Sequence, residues 1–231
     1  MDNDDWENLL SAAARLQKII PEAVLVGGTA SALWTRHRFS HDADHVIPDL
    51  RERFDAILAK LEAVSGWRTA RVNRPVQILG SLDGIDTGIR QLIRTEPLET
   101  ERIRLREDLE VTVPTRAEIL RIKGALILKR NAARDYIDFA ALSADMDGAG
   151  IEGAMRRFDQ LYPQPNGESP LMQLQIQLAA PKPHDLEGIS LAEYKGLAAE
   201  WRNWEHIETA CLRASFAIAD ILSRETGAAR T

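Results

Sequence analysis

The chain has 231 residues, 45 % hydrophobic and 28 % charged, with a formal net charge of −6. These proportions are those of a water-soluble globular protein able to bury a substantial core, and the acidic balance excludes a protein that coats nucleic acid without discrimination. No apolar run reaches the ~18 residues of a membrane span, the acidic start (Asp2, Asp4, Asp5, Glu7) is unlike a signal peptide, and the single cysteine, Cys211, excludes an internal disulfide and a cysteine-based zinc site and fits a reducing cytoplasm.

Trp6, Leu9, Leu10, Ala13, Leu16 and Ile20 recur at helical spacing, so an amphipathic helix is expected up to Pro21, capped by Asp2, Asn3 or Asp4. Ala23–Val26 reads as a short buried strand, and Gly27-Gly28 turns it into a helix over about 29–35. Asp42–Ile47 is the next strand, followed by an amphipathic helix over 50–64 that Gly66 stops. Val76, Ile78 and Leu79 lead into the turn pair Asp83-Gly84, with Ile85, Ile89 and Leu92 on the return strand. A second hairpin is expected from Ile103–Arg106 and Leu109–Val113, turned at Glu107-Asp108.

Thr115 and Glu118 form a capping box for a helix to about Arg130. A helix carrying Tyr136, Phe139 and Leu142 follows, then one over 150–161. Residues 162–188 read as a loop around one apolar patch, 171–178. Ser190 and Glu193 form another capping box, expected to open a long helix, or two joined by a kink, ending near Arg224 before a frayed tail, Glu225–Thr231. The elements amount to an α+β fold, a mixed sheet flanked by helices with a helical C-terminal part, divided as 1–145 and 146–231.

Chemistry concentrates near the start. In a strand, residues two apart share a face, so Asp42 and Asp44 present two carboxylates together, which suits hard cations such as Mg2+. The glycine turn before them lets backbone N–H groups approach a phosphate. Two residues compete as a third carboxylate, Asp83 and Asp86; the turn explains Asp83, whereas a lone acid inside the return strand favours Asp86 as ligand and base. His41 and His45 flank the pair and read as structural. Segment 102–134 holds nine Lys or Arg against four Asp or Glu, a local basic excess within an acidic chain.

Gly27-Gly28, Arg38, Ser40, Asp42 and Asp44 together resemble the polymerase-β-like nucleotidyltransferases, and within them the AbiEii-type branch, which contains the toxins of type IV toxin–antitoxin systems. Downstream, Lys123 and the run Arg134-Asp135-x-x-Asp138 are similar to that branch's lysine and its basic-Asp-x-x-Asp signature. Thr29 stands where the wider superfamily favours serine. The resemblance implies a nucleotidyltransferase-like sheet and Mg2+-dependent transfer of an NMP from an NTP to an acceptor. It implies metal-holding roles for Asp42, Asp44 and Asp86, phosphate contacts from Gly27, Gly28, Thr29 and Ser40, and triphosphate neutralisation by Lys123. Arg38, Arg134 and Asp135 would support the site, and Asp138 would be structural. A tRNA end is the expected acceptor, with a cognate antitoxin as partner. The alternatives are a small antibiotic-type molecule, a protein hydroxyl, or a non-catalytic nucleotide-binding relative.

Overall fold

The computed structural model describes residues 3–106, 109–194 and 196–228. The chain forms two compact units, one of residues 1–33 and 39–115, the other of 34–38 and 116–231. The first ends at Thr115, ahead of the boundary expected at 145, because the helices after it pack among the later ones.

The first unit begins with α1 (Asn3–Ile19), β1 (Val24–Leu25), the start of α2 (Gly27–Thr35), β2 (Asp42–Ile47) and α3 (Leu50–Glu62). It continues with β3 (Trp67–Asn73), β4 (Gln77–Leu82), β5 (Ile85–Gln91), β6 (Thr100–Arg104) and β7 (Glu110–Pro114). Five strands make one sheet in the order β1-β2-β5-β4-β3. Only the β2–β5 pair in it is parallel; its other pairs are antiparallel. The β4–β5 hairpin turns at Asp83 and Gly84, with φ of 53° and 83°, the left-handed conformation that Asp-Gly adopts with little strain. β6 and β7 form a separate antiparallel pair. The turn expected at Glu107-Asp108 lies outside the described residues, as do the Asp2 cap, the Asn3 and Asp4 side chains and the last three residues of the tail.

Alternation makes the large sheet two-sided. Ala43, His45, Ile47, Ile78, Leu82 and Ile89 point to one face and are fully buried. Leu16 and Ile20 at the end of α1, and Leu50, Phe54, Ile57 and Leu61 of α3, close over that face in a single core cluster. Each such apolar side chain contributes roughly 1.5–3 kcal/mol on burial. The opposite face carries Asp42 and Asp44 of β2 and Asp86 and Arg90 of β5.

The second unit comprises α4 (Arg116–Arg130), α5 (Ala133–Ala144), α6 (Gly148–Met155), α7 (Phe158–Leu161), α8 (Pro170–Ala179) and α9 (Trp204–Ala228), with the segment 34–38. Its core includes Leu120, Ile127, Phe139, Phe158, Leu174, Trp201 and Cys211. Burial pushes the Cys211 thiol pKa up, which makes it a small apolar filler rather than a nucleophile.

Three expectations are corrected. The patch within 162–188 is a helix, α8: Ser169 caps it by accepting from the Met172 N–H, Pro170 starts it, and Leu171, Leu174 and Leu178 form its buried stripe. The helix expected over 150–161 breaks into α6 and α7 around Arg156 and Arg157. Ser190 opens no helix; Gly196 takes φ +60°, the Ala198 N–H donates to the His37 carbonyl, and the long helix starts only at Trp204. Among the described residues, no helix is long and apolar enough to cross a membrane.

Candidate active site

Parallel pairing of β2 and β5 aligns Asp42 with Asp86 and Asp44 with Gly88. Paired residues of neighbouring strands project to the same face, so Asp42, Asp44 and Asp86 share the open face of the sheet. Asp42 and Asp86 are exposed and Asp44 is half-buried. The competing acid, Asp83, sits in the hairpin turn and pairs with Arg15. The strand register therefore favours Asp86 over Asp83 as companion of the pair.

Several contacts fix this part of the sheet. The Ser40 hydroxyl donates to Asp42 Oδ1 at 2.5 Å. Thr29 is fully buried and its hydroxyl donates to the Asp42 carbonyl at 2.6 Å, tying the first turn of α2 to the start of β2. The Val26 N–H donates to the Asp44 carbonyl at 2.8 Å. Gly27 holds φ +76°, which an L side chain resists, and so the chain can turn from β1 straight into α2 beside Asp44. The Thr29 hydroxyl is thus engaged with the backbone, which leaves the N–H groups of the first α2 turn as the donors that could face an anion.

Arg90 of β5 occupies the same face, with Nη2 3.5 Å from each Asp44 carboxylate oxygen. Sequence reasoning missed it, although a residue four beyond Asp86 in a strand must share its face. Among the described residues, no three His, Cys, Asp or Glu side chains stand close enough to enclose a metal ion. The donor set on the face is nonetheless all carboxylate oxygen, which fits Mg2+ in kind.

His45 faces the other way. It is fully buried under α1, and neither ring nitrogen completes a hydrogen bond. Burial holds its pKa down at about 4, although carbonyls of Ala43, Gly88 and Ala13 lie near enough to favour the proton weakly. His41 is exposed just before β2.

The remaining predicted residues belong to the second unit. Asp138 on α5 is fully buried and accepts from Arg38 Nε (2.6 Å) and Nη2 (2.9 Å) and from His37 Nε2 (2.7 Å), with Lys123 Nζ at 2.6 Å. Burial alone would raise its pKa; Arg38, Lys123 and the hydrogen bonds from His37 and Arg38 outweigh that and hold it well below the usual carboxylate range. His37 is pushed the other way: burial lowers its pKa, Arg38 and Lys123 add to this, and Asp138 opposes it. A neutral ring that donates from Nε2 to Asp138 and accepts at Nδ1 from the Thr35 hydroxyl (2.5 Å) satisfies both nitrogens. Asp135, also fully buried, accepts from Arg130 Nε (2.5 Å) and Nη2 (2.7 Å), and Lys123 Nζ lies 3.9 Å away. Arg134 is exposed. Lys123, expected to meet the triphosphate, is only 2 % exposed and engages Asp138. Asp138 has the structural place expected of it, whereas His37 had carried no role in the sequence reading.

The model of the AbiEii nucleotidyl transferase toxin family, of the type IV toxin–antitoxin systems, matches residues 8–223. The chain belongs to this family. The family match extends well beyond the segment whose motifs carry the resemblance. Over 219 residues the chain is 28 % identical to the mycolic acid-containing lipids exporter MmpL11 of Mycolicibacterium smegmatis, covering 94 % of this chain and 22 % of that protein. The heme uptake protein MmpL11 of Mycobacterium tuberculosis is 33 % identical over 129 residues, 55 % of this chain and 13 % of that one. The chain thus spans less than a quarter of the length of these curated relatives. Among solved structures, JHP933 of Helicobacter pylori is similar with a TM-score of 0.56 at 14 % identity, covering 100 % of this chain and 98 % of that one. The antibiotic-resistance factor ANT(2'')-Ia is similar with a TM-score of 0.50 at 12 % identity, covering 69 % and 94 %. At these identities the likeness is one of fold, and it agrees with the α+β nucleotidyltransferase-like architecture.

Proposed function

We propose that this AbiEii-family chain transfers an NMP from an NTP to the end of an RNA, with tRNA as the acceptor, in an Mg2+-dependent reaction. The observation that carries the site is the β2–β5 register, which sets Asp86 beside Asp42 on the face of Asp44. Asp42, Asp44 and Asp86 would hold Mg2+. When bound, the metal supplies charge stabilisation at the attacking and leaving oxygens.

The chain's own groups then have separate tasks. Asp86 takes the proton of the acceptor hydroxyl. That oxygen bonds to the α-phosphorus, the bond from the α-phosphorus to the oxygen bridging the β-phosphate breaks, and pyrophosphate leaves. Ser40 holds the Asp42 carboxylate in orientation through its short hydrogen bond. The backbone N–H groups of Gly28 and Thr29, at the positive end of α2, receive phosphate oxygens. Lys123 neutralises triphosphate charge, for which its ammonium must exchange Asp138 for phosphate. Arg38 and Asp135 keep the α4–α5 pair in place, the first through Asp138 and the second through Arg130. A cognate antitoxin is the partner the family description implies.

A second acceptor class has a specific observation behind it. Arg121 and Lys123, two of the nine basic residues of segment 102–134, are buried in ion pairs with Glu118 and Asp138, so the basic excess is not all available to a polyanion. With a net charge of −6, a small cationic acceptor of the aminoglycoside type is the competing reading.

The test is to incubate the protein with each α-labelled NTP, Mg2+ and total tRNA. Label in the RNA that disappears in Asp44→Asn supports the proposal. Transfer only to a cationic small molecule moves the reading to the second acceptor, and no transfer with any NTP defeats both.

A further inference from the structure

We propose that Arg90 is a resident counter-cation for Asp44 that a divalent metal must displace, so that this arginine sets how readily the carboxylate face takes up metal. The inference rests on the nucleotidyltransferase site proposed above and assigns that site a positioning residue.

Placement comes first. Asp86, Gly88 and Arg90 alternate along β5 onto the open face, and Arg90 is paired with Val46, one step past Asp44 along that face. Its Nη2 is equidistant from the two Asp44 oxygens at 3.5 Å. This contact is long for a charge-assisted hydrogen bond, and the guanidinium sits across the carboxylate, where a cation would sit.

The anchor comes from the other side. Arg90 is the cross-strand partner of Gln77 on β4. With its amide oxygen turned toward Arg90, Gln77 accepts from both terminal nitrogens of the guanidinium. The arginine is therefore held without Asp44 and can give that carboxylate up while staying tethered.

Accessibility makes the exchange feasible. The Arg90 side chain is 42 % exposed and that of Asp44 23 %, so solvent screens the pair and it is weak. A divalent ion carries twice the charge and ligates oxygen directly, and so should win. Gly88, paired with Asp44, lets the Leu79 side chain lie close over β5: a Cβ there would meet Leu79 Cδ2 at 2.5 Å and the Ile78 carbonyl at 2.8 Å.

The test is a Mn2+ titration of the full chain without nucleotide, with free Mn2+ read by electron paramagnetic resonance. Asp44→Asn should abolish the binding seen in the wild type. Arg90→Gln should bind Mn2+ roughly 3- to 10-fold tighter, since a competing charge a few ångströms away has gone, and Arg90→Lys should return close to wild type. Circular dichroism checks that each variant is folded; if Arg90→Gln is not, Arg90→Met, which keeps the aliphatic stem, carries the same expectation. Unchanged or weaker Mn2+ affinity on loss of the charge overturns the role of Arg90 and leaves the metal site standing. Absence of any Asp44-dependent Mn2+ binding in the wild type overturns the metal site and this inference together.

Discussion

Asp86 stands beside Asp42 because β2 and β5 run parallel in register, although 44 positions of sequence, with two strands and a helix, separate the two. Asp83, only three positions earlier, faces Arg15 in a turn instead. Asp86→Asn and Asp83→Asn therefore form a matched pair. The first should cut NMP transfer by about 10²-fold or more, as losing a general base does, and leave the melting temperature near wild type. The second should leave transfer nearly unchanged. Steady-state rates of both variants, measured side by side, check the assignment; equal losses would count against it.

The Asp138 cluster answers to stability. Asp138→Ala strands the buried Arg38, Lys123 and His37, and should destabilise the protein by about 3–5 kcal/mol in urea denaturation. Lys123→Met also breaks the cluster, but the proposal gives it a second effect. In any Lys123→Met protein that remains folded, KM for the NTP should rise by roughly tenfold, whereas Arg38→Met should not raise it. A KM equal in both variants would confine Lys123 to the fold.

His45 predicts a pH dependence. Its pKa in the folded protein, about 4, lies below the ordinary 6.5, so the unfolded chain takes up a proton that the folded chain refuses. The resulting stability is whole above pH ~6.5 and is lost as pH falls toward 4. At pH 5 the loss is roughly 2 kcal/mol relative to neutral pH. His37, also lowered, adds loss in the same direction, while Asp138, held low, keeps its contribution until strongly acidic pH. Urea midpoints from pH 7.5 to 5 should fall, and His45→Phe should flatten part of the slope; a flat wild-type profile would contradict the buried neutral ring.

Thr29 offers a smaller test. Thr29→Val removes the hydroxyl donated to the Asp42 carbonyl while keeping the shape, and should cost about 1 kcal/mol; Thr29→Ser should restore most of it. Transfer rates should follow the same order, because the bond anchors the strand that carries Asp42.

Much of this was legible in the chain. Asp83-Gly84 named its own turn, Asp42-x-Asp44 its shared face, and the apolar stripe of α3 its buried side. The α8 helix was hidden because Pro and Gly on both flanks resemble a linker, and a ten-residue uncharged stretch shows only three buried leucines. Ser190 misled because a capping box is a local preference, which the bend at Gly196 and the tie from Ala198 to the His37 carbonyl override. The Asp138 cluster was unreadable in principle: about a hundred residues lie between His37 or Arg38 and their carboxylate, and no short-range pattern encodes such a meeting.

Residues 34–38 are counted with the later helices although the chain on either side of them builds the sheet. The polypeptide therefore changes allegiance three times, and neither half can be excised at a single cut. A fragment stopped at Thr115 would keep the Arg38 guanidinium of this loop but forfeit the Asp138 carboxylate that neutralises it, leaving bare charge immediately upstream of the Ser40–Asp42 element. Shuffling these halves between relatives would demand transplanting that five-residue tether along with the helical partner.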